Sequence, residues 1–118
     1  MRTIIAGLVV LGLAMGPQAR AAPPPAFTQC IACHGESKGA AADVGPNLAG
    51  VFGRKAGSRD DFRYSRAMAR SGLVWNEKNL DAFLKGPEQL VPGTRMPFEG
   101  LASESDRAAV IQHLKSLK

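Results

Sequence analysis

Cys30-Ile31-Ala32-Cys33-His34 holds both cysteines of this 118-residue chain, and its reading decides the fold. Residues at i and i+3 of one helical turn point the same way, so the two thiols share a side and the next residue, an imidazole, swings beneath it. A disulfide across so short a loop would stabilise the chain little, because loop-closure entropy grows with loop length. A thioredoxin-like redox pair needs a βαβ setting, and no strand pattern surrounds the motif. Zinc would need two more ligands, for which the rest of the chain offers only His113. Covalent attachment of haem accounts for all three residues: the thiols of Cys30 and Cys33 add to the two vinyl groups along one haem edge, and His34 becomes an axial ligand of the iron.

The first 21 residues read differently from the rest. Arg2 precedes an apolar run over residues 4–15, Gly16-Pro17 breaks it, and Ala19-Arg20-Ala21 has the small-x-small form of an export cleavage site. The 12 residues of that run would make about 18 Å of helix, against about 30 Å of hydrocarbon in a bilayer. The expectation is a signal peptide over residues 1–21, cleaved after Ala21, and one domain over residues 22–118 in the periplasm. That domain is large enough for only a modest core, which a buried prosthetic group would enlarge. The whole chain carries a net charge of +5; without Arg2 and Arg20 it is mildly basic, with no Lys/Arg run of the kind that binds nucleic acid.

Beyond the proline run at residues 23–25, residues 26–33 can form a short helix leading into the motif. Residues 35–57 are punctuated by glycine and read as loop. Ser65 can cap a short helix to Arg70, and Asn76 a second one whose Leu80, Phe83 and Leu84 share a face until Gly86-Pro87 stops it. Pro87 suits the first turn of another short helix, ending near Val91. In the last element Ser103 and Asp106 have capping-box spacing, Arg107, Val110, Ile111, Leu114 and Leu117 recur at helical period, and Lys115 and Lys118 suit the C-terminal end of the dipole. The fold class is all-α, with a large share of loop.

His34 leaves a second axial position, for which Met68, Met96 and His113 are the plausible donors. Met68 and His113 sit on helices, where packing or solvent exposure explains them. Met96 lies in Val91-Pro92-Gly93-Thr94-Arg95-Met96-Pro97-Phe98, a proline- and glycine-framed loop without helical period, where a methionine has little core-filling reason to be. A thioether is a soft, neutral donor that favours ferrous iron, and with both positions filled the iron has no site for oxygen or substrate. Electron transfer is the expected task and no catalytic residue is expected. The rivals are a five-coordinate haem peroxidase and a gas-binding sensor.

Beyond the motif itself, the strings CIACH, GPNLAGVFGRKAG, FRYSRAM, GLVW and VPGTRMPF occur in order, and from Cys30 onwards the chain resembles class I cytochromes c of the mitochondrial and photosynthetic-bacterial type. The resemblance implies a small cytochrome c fold, short helices and loops wrapped around one haem c. It implies that Pro46 offers its carbonyl to the other ring nitrogen of His34, that Arg54, Tyr64 and Trp75 serve the haem propionates, and that Thr94 supports the methionine loop. Leu48, Leu84 and Phe98 would pack the haem faces. By themselves Trp75 reads as core and Arg54 as a surface charge.

The chain also departs from that family. Phe83 stands where a tyrosine is usual near the methionine sulfur, Met68 where an asparagine often anchors an internal water, and His113 in place of the usual aromatic on the last helix. The inner polar network should be reduced, and the short N-terminal helix leaves its packing on the last helix open. The implied partners are redox proteins, either membrane respiratory or photosynthetic complexes or soluble dehydrogenases and oxidases, met by a monomer. Around the haem edge, Gln29, Glu88, Gln89, Ala102 and Ser103 stand where lysines are usual; Arg95 remains, while Arg59, Arg63, Arg66 and Arg70 fall in the middle of the chain, so docking is expected to rest on apolar contact through Ile31, Ala32 and Pro97 more than on charge.

Overall fold

A computed structural model describes residues 22–118 together with Gly12, Leu13 and Gly16; the expected signal peptide falls almost wholly outside the described residues. Four α-helices form: α1 (Arg66–Ala69), α2 (Glu77–Lys85), α3 (Pro87–Leu90) and α4 (Glu104–Ser116). Three of them start where a side chain satisfies an orphan amide. Ser65 accepts from the Met68 amide, Asn76 from that of Asn79 and Ser103 from that of Asp106. Helix α3 has no such cap and begins on Pro87, whose missing N–H needs none. The class is all-α; among the described residues extended pairing is limited to one isolated antiparallel bridge, Lys55 to Val74.

The segment before the haem motif differs from expectation. In place of one helix over residues 26–33 there are two 3-10 turns, Pro25–Phe27 and Cys30–Ala32. Three consecutive prolines supply no amide donors, so a regular helix cannot start upstream. The motif turn closes by bonds from the Cys33 and His34 amides to the Cys30 carbonyl, at 3.1 and 2.9 Å.

The short N-terminal segment nevertheless packs firmly on α4. Phe27 is fully buried and its ring meets that of His113 with centroids 4.5 Å apart. Burying such a side chain contributes about 1.5–3 kcal/mol. His113 is itself buried and pairs through Nε2 with Glu36 Oε2 at 2.9 Å, tying α4 to the chain just beyond the motif. Phe27, Leu80, Phe83, Leu84, Val110, Ile111, Leu114 and Leu117 belong to one core. Arg107, on the same stripe of α4 as Val110 and Ile111, is buried as well and bonded to Asp81 of α2.

Candidate functional site

Opposite the haem motif the core opens into a cavity of about 400 Å³. Cys30, Cys33 and His34 stand on one wall; the loop carrying Thr94, Met96 and Phe98 forms another, and Trp75, Leu80, Phe83 and Leu84 come from the segment entering α2 and from α2 itself. Every sequence-predicted site residue lines this cavity: Cys30, Cys33, His34, Pro46, Arg54, Tyr64, Trp75, Thr94 and Met96. Met68 lines it too, whereas His113 does not.

His34 is held from two directions. Its Nδ1 lies 2.6 Å from the Pro46 carbonyl oxygen. A carbonyl only accepts, so Nδ1 carries the proton and Nε2 keeps its lone pair. Burial pushes the imidazole pKa down, partly opposed by the Pro46 bond, so the ring is neutral and able to ligate at neutral pH. Gly45 shields the other direction: a Cβ there would stand 2.6 Å from His34 Cε1 and 2.8 Å from Nδ1. Gly45→Ala is therefore expected to push the ring off the Pro46 carbonyl and to cut holoprotein assembly by about tenfold, the scale on which orienting partners act on metal ligands. Haem content per polypeptide after purification checks it.

The thiols differ from a redox pair. Burial, with Cys33 nearby as a second cause, raises the Cys30 pKa, the opposite of what an exchange nucleophile needs. Both cysteines are free, and among the described residues no group of three or more His, Cys, Asp or Glu side chains converges on a metal position, which leaves the zinc reading without a ligand set.

The remaining polar groups suit an anionic edge. Four cations, Arg54, Lys55, Arg63 and Arg95, line the cavity, and no carboxylate does. Arg54 is half-buried and braces the adjacent loop, donating from Nη1 to the Ala49 carbonyl at 3.0 Å. Trp75 is buried against Phe83, ring centroids 5.0 Å apart, and Tyr64 is half-buried against Phe62. Thr94 Oγ1 accepts from the Met96 amide at 3.3 Å. An apolar cavity with two free thiols, a neutral imidazole, thioethers and cations but no carboxylate in its lining fits a haem, whose vinyl groups the cysteines would take and whose carboxylates the cations would meet.

Several contributors were not legible beforehand. Asn47, fully buried, holds the loop beside His34 by donating to the Ser37 and Ala40 carbonyls, both at 2.9 Å, and accepting from the Ala49 amide. Its only cue was its position in the Gly45-Pro46-Asn47 string. Arg63 falls in the middle of the chain among other basic residues, and the fold brings it and Lys55 to the cavity wall.

The family model for cytochrome c matches residues 25–118. The chain is 50% identical over 94 residues to cytochrome c2 iso-2 of Magnetospirillum fulvum, covering 80% of this chain and 97% of that one. It is 52% identical over 93 residues to cytochrome c of Tetrahymena pyriformis, covering 76% and 80%. The solved structure of cytochrome cH from Methylobacterium extorquens superposes with a TM-score of 0.73 at 39% identity, over 77% of this chain and 91% of that one. The chain belongs to the cytochrome c family: it is a class I c-type cytochrome, an electron-transfer protein with one covalently attached haem c and not an enzyme.

Proposed function

We propose that this cytochrome is a single-electron carrier working outside the cytoplasm, with its iron held between His34 Nε2 and Met96 Sδ. The observation that carries this reading is the cavity bounded by both residues and both motif cysteines, with His34 already held in the ligating tautomer by Pro46. The bound haem supplies the ferric/ferrous couple. Cys30 and Cys33 anchor it, Pro46 orients His34, and Thr94 steadies Met96 through its backbone amide. Leu48, Phe83, Leu84 and Phe98 would exclude water, and Arg54, Tyr64 and Trp75 would donate to the propionates, which cannot be buried as charges without partners. Two axial protein ligands leave no position for peroxide or a gas. Absorption spectra of the purified protein in both redox states test this: the weak ferric band at the red edge that marks sulfur ligation is expected, and a high-spin ferric spectrum without it would overturn the assignment.

Export with removal of residues 1–21 and residence in the periplasm complete the proposal, with membrane redox complexes or soluble dehydrogenases and oxidases as partners. The cavity edge is not as poor in charge as the sequence suggested. Arg95 donates to the Arg63 carbonyl, and both line the cavity, as does Lys55; Gln29, Val44 and Pro97 are uncharged exposed lining residues, and Ile31 and Ala32 are exposed beside them in sequence. Docking then combines apolar contact with charge steering. The association rate with a redox partner is expected to fall only about threefold as salt rises from about 10 to 150 mM, where the Debye length shrinks from roughly 30 to 8 Å. Stopped-flow measurement should also show that Arg63→Gln with Arg95→Gln removes most of that dependence; a steep loss persisting in the double variant would defeat the idea.

A further inference from the structure

We infer that Arg107 is a positioning residue for Met96, its buried guanidinium acting as a latch on the exit of the methionine loop. The inference rests on the reading of Met96 as an iron ligand.

The loop is braced near its entry by its own residues and by Glu88 of α3. The Gly93 amide donates to Glu88 Oε1 at 3.0 Å, the Thr94 amide to the Val91 carbonyl at 3.0 Å, and the Met96 amide to Thr94 Oγ1. From Pro97 to Ala102 the situation differs. Gly100 has a φ of +118° and sits where a Cβ would run into the Lys85 carbonyl, and the Leu101 amide donates to the Leu84 carbonyl at 2.7 Å, so the loop exit lies flat against the end of α2. Among the described residues one side chain from outside the loop hydrogen-bonds to this stretch. Arg107 Nη1 donates to the carbonyls of Leu101 at 2.9 Å and Ala102 at 3.0 Å, while Nε donates to Asp81 Oδ1 at 2.8 Å.

Joining α4 to α2 does not require this arrangement. Lys115 and Glu77 pair across the same two helices at 3.3 Å, both at the surface. Arg107 is 6% exposed and lies on the apolar stripe of α4, where a charge is costly unless fully satisfied. Its rigid fork engages a carboxylate and two successive loop carbonyls together, which a lysine ammonium on a flexible stem does not reproduce. The two carbonyls belong to the fifth and sixth residues after Met96, so the fork fixes the far end of the segment whose near end must carry the sulfur to the iron. Releasing it slackens that segment, and the methionine yields more readily to competing ligands.

The test uses the holoprotein and compares Arg107→Lys with Ile111→Ala, a buried α4 change that neither lines the cavity nor hydrogen-bonds the loop through its side chain, and with Glu77→Gln. Imidazole affinity for the ferric iron, which reports how readily Met96 is displaced, is measured by titration beside the denaturant midpoint. Arg107→Lys is expected to raise imidazole affinity about tenfold, the scale of one lost charge-assisted hydrogen bond. Ile111→Ala should lower the denaturant midpoint with imidazole affinity unchanged, and Glu77→Gln should alter neither. If Arg107→Lys behaves like Ile111→Ala, the residue is merely structural and the latch is refuted. Survival of the sulfur band in Met96→Ala would instead remove the ligand assignment on which the latch depends.

Discussion

Replacing Cys30 and Cys33 together by alanine is expected to abolish retention of haem by the polypeptide in acidified acetone, a treatment that leaves the wild-type haem on the chain. The proposed coordination by His34 and Met96 would be lost when the fold unravels, whereas thioether bonds survive denaturation, so extraction separates the two kinds of attachment. Either single variant keeps one thioether and should stay coloured. The double variant should also lose much of its folded population. The cavity of about 400 Å³ lies inside the core of a small domain, and ligand bound to the native state alone stabilises it by mass action. Haem extractable from the wild-type chain would contradict the attachment read from the motif.

Met96→Ala is expected to erase the ferric sulfur band, open the iron to added ligands and lower the midpoint potential by on the order of 0.1 V or more. A neutral soft donor that favours ferrous iron is then replaced by water, and axial ligation is a principal lever on haem potential. Peroxidase-like turnover should rise as the sixth position opens. Met68 supplies the control, because it presents a second thioether to the same cavity from α1. Met68→Leu should leave band and potential nearly unchanged. The opposite pattern, with the band lost in Met68→Leu and kept in Met96→Ala, would transfer the ligand role to α1.

The helices were legible because their causes are local. Ser65, Asn76 and Ser103 satisfy amides three residues away, and Pro87 starts a turn through its own ring. The attachment motif was legible for the same reason, since its geometry is one helical turn. Its surroundings were less so: the expected helix over residues 26–33 became two 3-10 turns, because a proline-rich approach withholds the donors that a helix needs.

Partners remote in sequence were another matter. His113 read as packing or exposure, and the fold buries it against Phe27 and pairs it with Glu36, 77 positions away. Arg107 fell on an apolar period with nothing to say that Asp81 and two loop carbonyls would satisfy its charge. Arg63 read as one of several mid-chain charges until the fold brought it beside Arg95 on the cavity lining. By itself the sequence determined the helical class and the CxxCH attachment motif, and it singled out His34 and Met96 as the proposed ligands, because spacing, capping and loop composition act within a few residues. Only the tertiary structure decided how the imidazole is held, what covers the N-terminal turn and which side chain bonds the carbonyls of Leu101 and Ala102. A buried polar group takes whichever partner packing brings within about 3 Å, and no sequence period specifies that partner.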